Sequence, residues 1–155
     1  IYADQREGDG LHRYLCCRKK RRKRYRSYTR RGYIPNQVSI EDLPAIVNSR
    51  RRIGHWEGDT IIGKAHRGAI VSLVERKSRY TFLAHTTHKT ADAVHRCITN
   101  SLAPHKKRVH TLTLDNGREF ADHQDIAADL DVRIYFAHPY ASWERGLSEN
   151  TNGLV

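Results

Sequence analysis

Alternating apolar and polar positions mark the first strands of this chain. Residues 56–62 follow the two-residue period of a β-strand, with Trp56, Gly58, Thr60 and Ile62 on one face and Glu57, Asp59 and Ile61 on the other. Residues 69–75 and 80–86 also have strand composition, and short turns separate the three segments. The pattern predicts a three-stranded antiparallel meander.

From Thr90 onward the apolar spacing becomes helical. Thr90 is expected to cap a helix that Pro104 closes, with apolar positions at Ala91, Val94, Cys97 or Ile98, and Leu102. The elements expected after it are a strand at 111–114, a helix at 121–130, a strand at 132–137 and a last helix capped by Ser148. Before the meander, Ser39 is expected to cap a short helix at 40–47, although Pro44 lies inside it.

The resulting order, β-β-β-α-β-α-β-loop-α, predicts an α/β fold. Its sheet is expected to be five-stranded and mixed, with three antiparallel strands followed by β-α-β units, and to be flanked by helices. This is the layout of the ribonuclease H-like fold, in which the first strand is central and neighbours the fourth. By that analogy Asp59 and Asp115 would lie side by side, and the last helix would bring Glu149 over the same edge.

Positive charge is concentrated in the first third of the chain. The net charge is +11, and residues 1–55 hold 15 Lys and Arg against 5 Asp and Glu, whereas residues 56–155 hold 13 against 12. A concentrated basic segment is typical of phosphate-backbone contact, and a nearly neutral remainder is typical of a folded core. We therefore expect a basic arm and connector over residues 1–54, partly disordered, and a folded core over residues 55–155. The ending Gly153-Leu154-Val155 suggests that this core is truncated at its C-terminus.

The arm supplies most of the candidate DNA contacts. Charges this dense repel one another and favour a solvated, disordered segment, and they equally suit an arm that becomes ordered on DNA. The candidates are Arg18, Lys19, Lys20, Arg21, Arg22, Lys23, Arg24, Arg26, Arg30 and Arg31.

Several other classes of protein are disfavoured by the composition. The three cysteines form no C-x-x-C pair, and the ten histidines form no metal-binding motif. No apolar run approaches the roughly 18 residues of a membrane span. Without a signal segment, a bacterial cytoplasmic, nucleoid-associated location is expected.

Three carboxylates lie in contexts suited to a metal ion: Asp59 in WEGDTIIG, Asp115 at the end of TLTLD, and Glu149 in ENTNG. Hard divalent cations bind oxygen ligands and are commonly held by a few carboxylates plus substrate phosphates. Two such ions about 4 Å apart can activate a water and stabilise the leaving oxygen of a phosphodiester. Taken alone, Asp115 also suits a turn, Asp59 a solvent-facing strand position and Glu149 the first turn of a helix.

With these residues in place, the chain resembles insertion-sequence transposases of the family numbered thirty, within the D-D-E transposase and integrase superfamily. The matching segments are IYAD, RRGYIPNQVSI, RIGHWEGDTIIGK, LVERKSRYT, KTADAV, TLDNGREFA and HPYASWERGLSENTNGL. A lone D-N-G would have no diagnostic value, whereas the last four segments together and in this order are specific.

The resemblance implies a DNA transposase catalytic core that holds two divalent ions, Mg²⁺ or Mn²⁺, on Asp59, Asp115 and Glu149. A metal-activated water would cut DNA at a transposon end, and the 3′ hydroxyl so formed would attack a second phosphodiester. The implied partners are the terminal repeats, target DNA and further copies of the chain in a multimer.

Further residues are assigned supporting roles. Asn116 and Glu119 are candidates to orient Asp115, with helix capping as the alternative, and Asn150 and Asn152 are candidates to hydrogen-bond phosphate or the ligand carboxylates. A loop expected to face DNA contributes Tyr140, Trp143 and Arg145, although Trp143 could equally pack on the core. Lys64, Lys89 and Arg118 are candidates for phosphate contact. Two rival functions remain: a truncated remnant that only binds DNA, and a ribonuclease H-type or Holliday-junction nuclease.

Overall fold

The computed structural model describes residues 34–63, 68–139, 141, 144 and 146–154, which all fall in the unit Gly32–Val155; the side chain of Glu149 is not among those described. The strands are β1 (His55–Ile62), β2 (Ala69–Glu75), β3 (Thr81–Thr86), β4 (Thr111–Leu114) and β5 (Arg133–Phe136). The helices are α1 (Ala45–Asn48), α2 (Ala91–Leu102), α3 (His123–Leu130) and α4 (Gly146–Asn152). Three 3₁₀ turns of the described residues cover Ile40–Asp42, Ala103–Arg108 and Arg118–Phe120.

Within the described residues the strands form one five-stranded sheet in the order β3-β2-β1-β4-β5. The first three strands pair antiparallel, whereas β4 lies parallel to both β1 and β5. The expected mixed sheet is therefore confirmed, including the central position of β1 beside β4.

The main core lies between the sheet and helices α2 and α3. Alternate strand residues face these helices, so one face of β1 contributes Trp56 and leaves Gly58 against Leu114. Trp56 is buried in this core and stacks on Phe82 with 5.6 Å between ring centroids. The helices contribute Val94, Ile98, Leu102, Ile126 and Leu130 to the same cluster.

The short helix expected at 40–47 is divided at Pro44. Ser39 caps only the 3₁₀ turn Ile40–Asp42, by accepting a hydrogen bond from the Glu41 amide, and α1 starts after the proline. Proline lacks an N–H and excludes the preceding residue from helical geometry, so a continuous helix cannot form.

Two later helices begin elsewhere than the sequence predicts. Helix α3 starts at His123, because Arg118–Phe120 forms a separate 3₁₀ turn. Helix α4 starts at Gly146, so Ser148 lies inside it and is not its N-cap. By contrast Thr90 caps α2 as expected, with its hydroxyl accepting a hydrogen bond from the Ala93 amide.

Residues 34–54 pack along β5, at the edge of the sheet. The Phe136 amide donates to Val38 O at 2.8 Å, and Leu43 and Val47 cover Tyr135. Ile34 belongs to the main core. The boundary placed between residues 54 and 55 stays a prediction. No helix of the part of the chain that the structure describes is long and apolar enough to cross a membrane.

Candidate metal and active site

The register of β1 and β4 places two of the predicted carboxylates at one edge of the sheet. Trp56 pairs with Leu112, and Glu57 pairs with Thr113. Continuing this parallel register by two residues brings Asp59 level with Asp115, and neighbouring strands lie about 4.8 Å apart. Alternation puts both residues on the face opposite helices α2 and α3. The two aspartates therefore occupy adjacent positions on one surface.

Hydrogen bonds orient both carboxylates. Asp59 Oδ1 accepts from the Thr60 amide at 2.8 Å, and Asp59 Oδ2 accepts from Asn152 Nδ2 at 2.9 Å. Asp115 Oδ1 accepts from the Gly117 amide at 3.0 Å, which is the turn contact that Asp before Asn-Gly also predicts. A carboxylate oxygen can accept more than one bond, so these contacts are compatible with ion binding.

Asn152 connects the end of α4 to strands β1 and β2. In addition to its contact with Asp59, its Oδ1 accepts from Ser72 Oγ at 2.7 Å. Glu149 precedes Asn152 by three residues on the same helix, and residues at this spacing share a helix face. Glu149 therefore lies on the same side of α4 as Asn152, the residue of the following turn that contacts Asp59.

Glu57 holds the beginning of α4. This carboxylate is 1% exposed, and its Oε2 accepts from the Ser148 amide at 3.0 Å. Its Oε1 lies 3.2 Å from Arg76 Nε, and Arg76 also reaches Asn48 Oδ1. Amides in the first turn of a helix have no partner within the helix, so a carboxylate there satisfies one of them and suits the helix dipole.

Hydrogen bonds hold the loop after Asp115 at Asn116 and Glu119, its two predicted supporting residues. Asn116 donates from Nδ2 to Ala137 O and accepts from Gln37 Nε2 at 3.0 Å, which joins the ends of β4 and β5 to the connector. Glu119 Oε1 accepts from Thr60 Oγ1 at 2.8 Å and from Lys89 Nζ at 2.7 Å. Lys89, a predicted phosphate contact, is thus engaged by Glu119.

Glu119 stays ionised despite its burial. Burial acts to raise the pKa of Glu119, but hydrogen bonds led by that from Lys89 outweigh it and hold the pKa below its ordinary value. A side chain at Gly117 would begin 2.4 Å from the Glu119 carboxyl, so the Glu119 side chain would have to shift to make room for it. Any influence of Asn116 and Glu119 on Asp115 would act through this anchored loop, and that role stays a prediction.

The structure adds residues that sequence analysis did not assign to the site. Glu57 shares a strand face with Asp59, so the alternation itself contained that signal. Ser72 is the one uncharged polar residue in the apolar strand AIVSLVE. Of the two asparagines predicted to bind phosphate or the ligand carboxylates, Asn152 contacts Asp59, whereas Asn150 is exposed on α4.

Arg118, a predicted phosphate contact, is exposed in the 3₁₀ turn that follows β4. The other predicted residues lie outside the described part of the chain: the arm arginines and lysines over residues 18–31, together with Lys64, Tyr140, Trp143 and Arg145. Among the side chains that the structure describes, no three His, Cys, Asp or Glu residues are grouped as a metal site. Asp59 and Asp115 are two of the three predicted ligands, and the third, Glu149, is described only in its backbone.

Comparison with known families settles the class of domain. Residues 49–142 match the model of the integrase core domain. The chain belongs to the integrase core domain family.

Curated relatives of this integrase core protein are transposases, which confirms the resemblance found in the motifs. The transposase for insertion sequence element IS4351 of Bacteroides fragilis is 43% identical over 156 residues, covering 100% of this chain and 48% of the relative. Transposase InsI for insertion sequence element IS30A of Escherichia coli strain K12 is 35% identical over 136 residues, covering 84% of this chain and 35% of the relative. The chain thus spans about half or less of the length of these relatives.

Solved structures confirm the ribonuclease H-like fold of this integrase core. The simian T-cell lymphotropic virus intasome matches with a TM-score of 0.58 and 24% identity, covering 66% of this chain and 38% of that one. The HTLV-2 integrase catalytic core domain in complex with magnesium matches with a TM-score of 0.52 and 17% identity, covering 64% and 65%. At these identities the similarity establishes the fold alone.

Proposed function

We propose that this chain is the catalytic core of an insertion-sequence DNA transposase, which cleaves DNA at transposon ends and transfers the resulting strand. The observation that carries the proposal is the level position of Asp59 and Asp115 on neighbouring parallel strands, beside the helix that contains Glu149. The relatives that are 43% and 35% identical are transposases, which supports the same activity here.

Asp59, Asp115 and Glu149 would hold two divalent ions, Mg²⁺ or Mn²⁺. An all-oxygen donor set fits a hard cation, and the HTLV-2 integrase core of the same fold is in complex with magnesium. When bound, such ions activate a water and neutralise charge on the phosphodiester. The chain's own residues position the donors: Asn152 and the Thr60 amide orient Asp59, and Glu57 fixes the start of α4.

The partners would be double-stranded DNA, both terminal repeats and target, and further copies of the chain. The arm residues 18–31 and the loop residues Tyr140, Trp143 and Arg145 remain the proposed DNA contacts. The solved structures of the same fold include an intasome and a dimeric form, which supports self-association. Activity on chromosomal DNA would place the protein in the bacterial cytoplasm, at the nucleoid.

The decisive variant is Glu149→Gln, assayed for metal-dependent nicking of DNA that carries the cognate terminal repeats. Loss of a residue near a metal already costs 10–100-fold in activity when that residue only supports a ligand, so loss of a ligand should cost more than about 100-fold. DNA affinity should change little, because one charge near the metal adds little to a backbone contact made by many basic residues.

Glu41→Gln is the matched control, because Glu41 is 76% exposed on the connector. This control should nick at the parental rate. Nicking by Glu149→Gln at the parental rate would refute the site assignment, as would parental nicking that persists in a chelator. We further expect Ca²⁺ to support binding without turnover, since its coordination geometry is larger and looser.

A further inference from the structure

Two basic runs that are far apart in sequence meet at Gly54. The Gly54 carbonyl accepts hydrogen bonds from the His110 amide at 2.7 Å and the Thr111 amide at 3.3 Å. Gly54 has a φ of +110°, and a Cβ there would lie 2.1 Å from Arg108 O. Only glycine permits so close an approach, so Gly54 brings the segment just after the run 50–52 against Arg108, the last residue of the run 105–108.

The two runs form one surface, which we name the strand-start basic surface. It consists of the exposed residues Arg50, Arg51, Arg52, Lys106, Lys107 and Arg108. An open groove of about 920 Å³ runs beside its second half, lined also by Leu130 and Asp131. Three formal positive charges, on Lys106, Lys107 and Arg108, thus line a concave surface that a phosphate group could enter.

Few acidic groups neutralise this surface. The Glu75 carboxylate is buried and accepts from the amides of Gly54, Lys77 and Ser78. The Asp129 carboxylate contacts His95, and Lys106 Nζ donates to the Asp129 carbonyl rather than to its carboxylate. Asp131 is the one acidic residue that lines the groove. The surface therefore retains most of its positive charge.

His55 and His110, which lie beside this surface, contribute little of that charge. Burial lowers the pKa of His55, with His110 and Arg52 acting in the same direction. Burial and then Arg52 lower the pKa of His110 as well. Both rings are therefore largely neutral at pH 7, and the charge comes from arginine and lysine, which stay protonated.

The surface lies at the opposite edge of the sheet from the proposed active site. Arg52 and Arg108 come just before β1 and β4, whereas Asp59 lies midway along β1 and Asp115 comes just after β4. Asp59 is the fourth residue after His55 along β1, which corresponds to a distance of about 13 Å. The proposed metal ligands therefore do not account for this charge.

We propose that the strand-start basic surface binds the phosphate backbone of double-stranded DNA, as a contact separate from the proposed metal ligands. The choice of DNA rests on the proposed function; the charge and its exposure do not depend on it. Phosphate contacts of this kind position a duplex without reading its sequence. The surface would thus hold DNA at the edge of the sheet that is remote from cleavage.

The test is the salt dependence of duplex DNA binding by the full chain. Lys107→Gln is compared with Arg96→Gln, which removes one exposed charge on α2, where Arg96 pairs with Asp92. The affinity constant K falls as salt rises, and each lost phosphate contact reduces the magnitude of the slope of log K against log salt by about 0.9. Lys107→Gln should therefore reduce that magnitude by about 1. Arg96→Gln should leave the slope unchanged. The combined variant Arg51→Gln/Lys107→Gln should reduce its magnitude by about 2.

A second measurement uses the parent protein and needs no variant to fold. Acetylation of Lys106 and Lys107, followed by mass spectrometry, should be suppressed by duplex DNA relative to the same protein without DNA. An unchanged slope in Lys107→Gln, or equal labelling of Lys106 and Lys107 with and without DNA, would overturn the proposal. So would tighter binding of single-stranded RNA that is equally sensitive to Lys107→Gln.

These readouts do not involve cleavage, so the two proposals fail separately. A protein that never nicks but shows the expected slopes would refute the proposed function and support this DNA contact. A protein that nicks only with Mg²⁺, and whose DNA binding keeps the same salt dependence in Lys107→Gln, would support the proposed function and refute the contact.

Discussion

Glu57 joins a buried ion pair to the first turn of the helix that contains Glu149. Its replacement by alanine should weaken metal binding by about 10-fold or more, the usual effect of losing a residue that supports a ligand. It should also lower the free energy of unfolding by about 3–5 kcal/mol, because Arg76 is left buried and unpaired. Calorimetric titration with Mg²⁺ and urea unfolding measure the two effects.

The double variant Glu57→Ala/Arg76→Leu separates these effects. Removing both buried charges should recover much of the stability, since apolar replacement of a buried pair is often nearly neutral. Metal binding should stay weak, because the Ser148 amide still lacks its acceptor on β1. Recovery of parental metal affinity in the double variant would mean that Glu57 acts through stability alone.

Gly58 lies where β1 and β4 leave no room for a side chain. A Cβ at this position would be 2.7 Å from Leu114 Cδ2 and 3.3 Å from Leu73 Cδ2, both in the packed core. Gly58→Ala should therefore cost about 1–3 kcal/mol in the free energy of unfolding. Gly146→Ala is the matched control: nothing lies within 4 Å of its Cβ, and alanine favours the helix. Urea midpoints that fall equally in both variants would contradict this packing.

At the scale of elements, strands were more predictable than helix ends. The pattern gives the bounds of β2 and β4 as the structure has them, because alternation and turn residues are local properties. The start of α4 could not be predicted from Ser148, since its amide is satisfied by Glu57, 91 residues earlier in the chain. A helix that is capped from a distant strand has no local sequence signal.

The segment between β5 and α4 contains a pH-dependent contact. His138 Nδ1 lies 2.8 Å from Glu144 Oε1, and the His138 amide donates to Glu144 Oε2 at 2.8 Å. The hydrogen bond and charge of Glu144, with a further contribution from Glu41, raise the pKa of His138 above its ordinary value. The ring therefore holds its proton more tightly in the folded protein.

The sign of the pH effect follows from that shift. A raised folded-state pKa means that the contact contributes fully below the unfolded value of about 6.5 and is lost as pH rises through the folded pKa. NMR titration of the His138 ring should give a pKa above about 6.5, and Glu144→Gln should bring it back toward that value. A His138 pKa unaffected by Glu144→Gln would exclude this contact in solution.

At the scale of the whole molecule, the sequence predicted which elements exist more readily than which distant residues meet. The level position of Asp59 and Asp115 was accessible only through the strand order of a known fold, because periodicity does not determine which strands pair. The meeting of two basic runs at Gly54 and the packing of residues 34–54 on β5 have no counterpart in local pattern. Both depend on contacts between segments widely separated along the chain.

The packing of the connector predicts that the folded core begins before the start of β1. Ile34, Leu43 and Val47 are buried, and the connector covers the outer edge of β5. Burial of such side chains stabilises by about 1.5–3 kcal/mol each, so a chain of residues 55–155 should be at least about 4 kcal/mol less stable than one of residues 34–155. Both chains lack the arm, so thermal and urea unfolding of the pair isolates the connector.

Two neighbouring substitutions in the 34–155 chain test the same contact without truncation. Val47 is fully buried against Tyr135, whereas Ile46 is 51% exposed. Val47→Ala should cost about 2 kcal/mol through lost burial and a cavity, and Ile46→Ala less than about 0.5 kcal/mol. Equal unfolding midpoints for the two truncated chains, together with equal effects at residues 46 and 47, would show that the connector is not part of the cooperative core.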